Sequence, residues 1–124
     1  MRALVIADSG PAMADLTRLL LGLKNIELRH ASGRTDVSAL VGGFAPDLVL
    51  VDEMHWPRLA LARLDEVHRA APSAAIVVLA ERLEGGWLAD ALRKGAAAVV
   101  PAGVDADTFR RVLDDVHVRV PAAA

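Results

Sequence analysis

The chain has 124 residues, of which 54% are apolar, and a formal net charge of −2, as expected for one compact domain with a hydrophobic core. It contains no cysteine, which excludes disulfides, thiolate metal sites and a cysteine nucleophile. The absence of a basic face and of a long apolar run argues against nucleic-acid and membrane partners. Because no signal-peptide pattern is present either, we expect a cytoplasmic protein.

The N-terminal part of the chain alternates strand and helix patterns. Residues 3–7 form an unbroken apolar run, typical of a strand covered on both faces, and residues 11–21 repeat apolar side chains at helical spacing. Residues 26–31 alternate apolar and polar side chains, as an edge strand does. Asp36 is a suitable cap for a short second helix, and the pair at residues 42–43, both glycine, is expected to end it.

The same alternation continues to the end of the chain. The pattern predicts three further strands and three further helices, with strands at 47–51, 75–79 and 97–100 and helices at 57–70, 84–94 and 105–116. Five βα units with short connections predict a parallel five-stranded sheet with helices on both faces. The flavodoxin-like strand order 2-1-3-4-5 is the common solution at this size. We assign residues 1–120 to this α/β domain and residues 121–124 to a frayed tail or the start of a truncated linker.

Two aspartates follow predicted strands at the edge of the sheet where open α/β proteins bind their ligands. Asp8 follows the first strand and Asp52 ends the third. Two convergent carboxylates suit a magnesium ion, and a magnesium-bound aspartate can accept a phosphoryl group. The alternative is that each aspartate caps the following helix or bonds to loop amides. Spacing alone leaves both interpretations open.

Four segments carry a resemblance to a known family. Residues 5–11 resemble the opening of response-regulator receiver domains, and residues 46–52 resemble the segment that ends in their phosphoacceptor aspartate. Residues 91–96 resemble the Ala-Leu-x-x-Gly-Ala stretch before the last strand, and residues 104–105 match the start of the last helix. The resemblance extends over nearly the whole chain. It implies a two-component signalling protein that acts through a histidine kinase, an output domain or a second copy of itself.

The resemblance assigns a role to individual residues, and at several of these positions the family's usual side chain is absent. Asp52 matches the phosphoacceptor, and Asp8 matches the first acidic residue of the magnesium site. Ser9 stands where the family has a second acidic residue, which weakens the implied Mg²⁺ site at Asp8 and Asp52. Ala80 stands where the family has a hydroxyl, and Ala102 where it has the lysine that pairs with the phosphoryl group.

Val99 replaces the aromatic switch residue of the family, so the usual coupling of hydroxyl and aromatic ring is also missing. Loss of one fixed electrostatic group at a reacting centre costs about 3–4 kcal/mol in catalysis. The substitutions therefore predict an atypical receiver in which phosphorylation of Asp52 is impaired or absent.

Other residues have a functional and a structural interpretation. Trp87, on the fourth helix, either anchors a partner protein or packs against the core. Arg110 and Asp114, on the fifth helix, either form a solvated face or make reciprocal ion pairs in a homodimer. His55 follows Asp52 by three residues and is most simply a surface histidine, with a phosphohistidine, metal ligand or pH-sensitive gate as the alternative.

Three functions are consistent with the sequence. The first is a non-enzymatic receiver that acts through protein contacts, at most with weak self-phosphorylation and dephosphorylation. The second is a phospho-accepting receiver with slow magnesium-dependent transfer to Asp52, as part of a longer transcriptional regulator. The third is a small flavin- or nucleotide-binding protein, which the short first loop at residues 9–11 and the absence of tyrosine disfavour.

Overall fold

A computed structural model describes residues 1–7, 10–20, 26–32, 36–52, 57–80 and 85–116. The described part contains a five-stranded parallel sheet with strand order β2-β1-β3-β4-β5. The elements in chain order are β1 (Arg2–Ile6), α1 (Gly10–Leu20), β2 (Glu27–Ala31), α2 (Val37–Phe44), β3 (Leu48–Asp52), α3 (Pro57–Ala70), β4 (Ala75–Ala80), α4 (Gly85–Arg93), β5 (Ala98–Pro101) and α5 (Ala106–Asp115). The predicted flavodoxin-like α/β fold is confirmed.

The two faces of the sheet carry separate apolar clusters, because successive side chains of a strand point to opposite faces. On one face, Leu64 and Val67 of α3 pack in the same cluster as Val49 of β3. On the other face, Leu16 of α1 and Phe109 of α5 lie in the second cluster. The central strands β1, β3 and β4 are therefore covered on both sides, which explains their unbroken apolar sequences.

The end of α2 differs from the sequence-based prediction. The helix does not end at residues 42–43 but continues through both glycines to Phe44, whose side chain is 5% exposed. Ala45 then takes the left-handed conformation, with φ of 51°, and its N–H donates to the Val41 carbonyl. Burial of the Phe44 ring explains the longer helix, since an apolar side chain of this size gains more from burial than two glycines cost.

The turn between α4 and β5 requires glycine at position 95. Gly95 has φ of +114°, which a residue with a side chain rarely adopts. A Cβ at this position would also overlap the ring of His68 on α3. The predicted helix stop at Gly95 therefore has a steric reason as well as a conformational one.

Polar contacts join the strands at the N-terminal end of the sheet. The Arg2 N–H donates to the Asp47 carboxylate at 2.9 Å, and the Asp47 N–H donates to the Arg2 carbonyl at 2.8 Å. The Arg2 guanidinium donates to the Phe44 carbonyl at 3.0 Å and pairs with Glu27 at 3.3 Å. Arg29 lies over the Phe44 ring, 5.2 Å from its centroid. We call Arg2, Glu27, Arg29, Phe44 and Asp47 the N-terminal network.

Candidate functional site

Asp52 is the last residue of β3, at the C-terminal end of the sheet. In the register of β3 and β4, Asp52 lies beside Leu79. Leu79 belongs to the apolar cluster under α1 and α5, so alternation along the strands places Asp52 on that same face. Asp52 is partly exposed, so solvent reaches this end of β3.

Ala80 and Val99 lie on the opposite face of the sheet from Asp52. Ala80 follows Leu79 in β4 and is fully buried. Val99 is partly buried and packs against the cluster under α2, α3 and α4. The resemblance assigns these two positions to a hydroxyl and an aromatic switch, and here both carry only hydrocarbon. Neither side chain can form a hydrogen bond to a group on Asp52.

Ala102 follows β5 and is exposed at the same edge of the sheet. Its backbone N–H donates to the Ala80 carbonyl at 2.8 Å, which fixes the start of the loop between β5 and α5. Gly103 then has φ of +82° with open space where a Cβ would lie. The side chain at position 102 is a methyl group, so the loop brings no positive charge to Asp52 from this position.

The same loop ends at Asp105, the N-cap of α5. The Asp105 carboxylate accepts a hydrogen bond from the Thr108 N–H at 2.7 Å. That bond to the Thr108 backbone holds the pKa of the Asp105 carboxyl below its usual value. The predicted cap is confirmed, and it anchors the loop that carries Ala102.

A cavity of about 140 Å³ lies beside Asp52. It is bounded by side chains of α1, the ends of β3 and β4 and the loop before α5, namely Asp15, Leu16, Arg18, Leu19, Asp52, Leu79, Ala102, Gly103 and Val104. Asp52 and Ala102, two of the sequence-predicted positions, therefore line the same space. The contribution of α1 to this cavity was not predicted from the sequence, although Asp15, Arg18 and Leu19 are spaced to share one face of a helix.

Several predicted site residues lie outside the described residues. These are Asp8, Ser9 and His55, so the structure places none of them relative to Asp52. Among the described residues, no three acidic, histidine or cysteine side chains form a group that could hold a metal ion. Asp52 and Asp15 are the carboxylates that line the described cavity. A Mg²⁺ site formed by Asp8 and Asp52 therefore stays a prediction.

The predicted partner residues lie on α4 and α5. Trp87 is partly buried and packs against the cluster under α2, α3 and α4. Arg110 and Asp114 are exposed on α5. Leu92 on α4 is 47% exposed, and among the described residues it is the one large apolar side chain with such exposure. These positions are compatible with either interpretation of Trp87 and of the charged pair.

In the described part of the chain, no helix has both the length and the apolar character needed to cross a membrane.

Comparison with known proteins shows the fold alone. The chain matches no protein family model and no curated protein sequence. It is similar in structure to a signal receiver domain of a histidine kinase from Clostridium thermocellum, with a TM-score of 0.79, 8% identity and coverage of 93% of this chain and 95% of that one. It is also similar to the receiver domain of a DNA-binding response regulator from Colwellia psychrerythraea, with a TM-score of 0.76, 16% identity and coverage of 94% and 98%.

A third similar structure is a response regulator from Burkholderia pseudomallei that contains a phosphorylated aspartic acid, a calcium ion and citrate. Its TM-score is 0.73 at 18% identity, and the match covers 91% of this chain and 66% of that longer one. The described sheet and helices thus have the architecture of response-regulator receiver domains.

Proposed function

We propose that this chain is an atypical receiver module of two-component signalling that acts through protein contacts, with phosphorylation of Asp52 impaired or absent. The observation that carries the proposal is the composition of the strand-end site. Asp52 lies at the end of β3, but the position after β5 that lines the same cavity is Ala102. A phosphoryl group on Asp52 would have no ammonium group from this position to pair with.

The apolar side chains of Ala80 and Val99, on the other face of the sheet, support the same proposal. In the resembled family, a hydroxyl and an aromatic side chain at these positions transmit phosphorylation from the site to the surface. Ala80 is fully buried, and Val99 packs against the apolar cluster of its own face. Because neither side chain has a polar atom, a phosphoryl group on Asp52 would not be coupled to the α4 side by this route.

The partner we propose is a second copy of the chain, a histidine kinase or an output domain, all in the cytoplasm. The surface we propose for it combines exposed Leu92 of α4 with Arg110 and Asp114 of α5. Exposed residues of both charges on α5 suit a two-fold axis, across which the same surface of two copies would meet. We propose no enzymatic activity for this module beyond weak self-phosphorylation and dephosphorylation.

A phospho-accepting receiver is the second candidate function. The partly exposed Asp52 at the end of β3 favours it, since this carboxylate is the group that phosphotransfer requires. The similar response regulator from Burkholderia pseudomallei has a phosphorylated aspartic acid with a calcium ion, and Mg²⁺ held weakly by Asp8 and Asp52 would have the same use here. In this candidate the chain would be the receiver part of a longer transcriptional regulator.

The test is intact-mass spectrometry after incubation with Mg²⁺ and acetyl phosphate, with Asp52→Asn as the control. The proposal expects no phosphoryl adduct, or a trace one, on folded protein. A substantial adduct on the parent that is missing from Asp52→Asn would instead establish the second candidate. An adduct on both proteins would show that another residue accepts phosphate, which neither candidate expects.

A further inference from the structure

The two edge strands of the sheet, β2 and β5, differ in how far they are covered. Of the four residues of β5, Pro101 alone is exposed, and Val100 is buried. In β2, by contrast, three of the five residues are exposed, namely Glu27, Arg29 and His30. The β2 edge is therefore the one that another strand can reach.

Backbone hydrogen bonds show which groups of β2 face away from the sheet. The Glu27 N–H donates to the Met1 carbonyl at 2.9 Å, and the Ala31 carbonyl accepts from the Ala7 N–H at 3.1 Å. Because the N–H and C=O groups of successive residues point to opposite sides of a strand, every second residue from Glu27 faces β1. The outward N–H and C=O groups of β2 are those of the alternate residues, Leu28 and His30. Such a row of groups is a template on which a further strand can pair.

The charges of β2 favour one register for pairing with a second copy. Two antiparallel copies bring their outward groups together when the two-fold axis passes opposite Glu27, Leu28 or Arg29. An axis at Glu27 or at Arg29 would place two like charges directly opposite each other, which is destabilising. An axis at Leu28 instead places each Glu27 opposite Arg29 of the second copy, as a closely spaced pair without backbone hydrogen bonds. This register is complementary in charge.

Both charged side chains are already positioned within the chain. The Glu27 carboxylate lies 3.3 Å from the Arg2 guanidinium, and the Glu27 side chain is still 58% exposed. A carboxylate has two acceptor oxygens, so Glu27 can pair with a second arginine. Arg29 lies over the Phe44 ring, which restricts its side chain before any pairing.

The other face of β2 supplies an apolar contact. Leu28 is partly buried and packs at the margin of the cluster under α1 and α5, as does Ile26 before the strand. With the axis at Leu28, this side chain would meet its own copy, and Ile26 would lie opposite His30 of the second copy. Pairing would thus remove apolar surface from water that the single chain leaves partly exposed.

We propose that a second copy of the chain binds at the β2 edge, antiparallel and with Leu28 on the two-fold axis, so that two five-stranded sheets become continuous. The surface formed by Leu92, Arg110 and Asp114 lies on α4 and α5, elements that do not border β2. A pair joined at β2 therefore leaves that surface free for a histidine kinase or an output domain. The pairing requires neither metal nor phosphate at Asp52.

The experiment uses the absence of cysteine from the chain, which makes any introduced thiol unique. Leu28→Cys should form a disulfide-linked dimer under mild oxidation, at least about tenfold faster than Arg69→Cys on exposed α3. His30→Cys, on the same strand and face, should not exceed the Arg69→Cys rate, because its Cα would lie about 14 Å from its copy. Non-reducing gel electrophoresis measures all three rates.

A mixture of two variants tests the register. Glu27→Cys and Arg29→Cys should cross-link to each other when mixed, because these positions would lie about 4.5 Å apart between Cα atoms. Each variant alone should react no faster than Arg69→Cys. The mixture retains one Glu27–Arg29 pair, so the charge that selects the register is not lost.

A charge swap tests the cause of the register. Glu27→Arg added to Leu28→Cys should slow cross-linking at least about threefold, since it places arginine opposite Arg29 of the second copy. Further addition of Arg29→Glu should restore the rate to within about twofold. Both variants lack the pair of Arg2 with Glu27, so the difference between them reports the charges across the interface.

The parent should show a mass that rises with concentration in sedimentation equilibrium between about 10 μM and about 1 mM, as expected for a small interface. A parent that stays monomeric over this range would overturn the proposal, as would a Leu28→Cys rate equal to that of Arg69→Cys. A charge swap without rescue would overturn the register. These results do not depend on the phosphoryl adduct, so failure here and failure of the proposed function can be told apart.

Discussion

The two ends of the sheet hold their polar groups in different ways. At the N-terminal end, the carboxylate of Asp47 accepts from the Arg2 N–H, and Arg2 also contacts Glu27 and Phe44. At the C-terminal end, Asp52 lies beside a cavity whose other walls are mainly leucine, alanine and valine. The difference indicates that the first end stabilises the fold through polar contacts, whereas the second carries the candidate functional site.

The largest expected effect on the free energy of unfolding comes from a substitution in the apolar core, which lies between the two ends of the sheet. Phe109→Ala should lower the free energy of unfolding by about 3–5 kcal/mol, because the ring is fully buried under the face that carries Asp52. Leu92→Ala is the matched control, since its side chain is 47% exposed, and it should cost less than about 1 kcal/mol. Urea unfolding followed by circular dichroism measures both, and equal costs would contradict the assigned burial.

Substitutions at two glycines with positive φ, one at each end of the sheet, allow the stability of the two ends to be compared directly. Gly95→Ala should cost about 2–3 kcal/mol, because the backbone is strained and the new Cβ meets the ring of His68. Gly103→Ala should cost only about 1 kcal/mol, since its backbone is strained but the surrounding space is open. The same urea titrations test this order, and a larger cost at Gly103 would show that the loop beside Asp52 is tightly packed.

Two aspartates give a second comparison between the ends. Asp47→Ala should destabilise the protein by about 1 kcal/mol, because the Arg2 N–H loses its carboxylate partner. Asp52→Ala should lower the free energy of unfolding by less than Asp47→Ala does, because a carboxylate placed for function is commonly kept at a cost in stability. If Asp52→Ala proved the more costly, Asp52 would have a structural role and the contrast would fail.

The smallest effect depends on pH. Since the pKa of Asp105 is lowered in the folded state, its charge stabilises the fold above the unfolded value of 3.8, and this stabilisation is lost as pH falls through the folded pKa. Asp105→Asn keeps a good N-cap but removes the charge. Urea midpoints should therefore favour the parent at pH 7 and converge as the pH falls below 3.8, and a difference that is independent of pH would refute the assignment.

The fold was predictable because its signals are local. Unbroken apolar runs identified the strands covered on both faces, and Asp36 and Asp105 identified two helix starts that the structure confirms. The end of α2 was predicted incorrectly because the burial of Phe44, a tertiary effect, outweighs the weak helix propensity of two glycines. Local sequence does not contain that information.

The candidate site was predictable only in part. Strand ends and alternation place Asp52 beside Leu79, and the loop after β5 places Ala102 at the same edge. The cavity depends on how α1 lies against β3 and on the path of the loop through Gly103. Neither the helix position nor the loop path follows from residue spacing. The sequence therefore did not predict that Leu16 and Arg18 line the cavity.

The central claim is that missing side chains, and not a missing acceptor, limit phosphorylation. The most direct test restores them in the variant Ser9→Asp, Ala80→Thr, Ala102→Lys and compares its initial rate of phosphoryl adduct formation with that of the parent, by intact mass with Mg²⁺ and acetyl phosphate. We expect the variant to react at least about 100-fold faster, at Asp52, as loss of one electrostatic group alone typically costs this much. Equal rates, with both proteins folded, would contradict the claim.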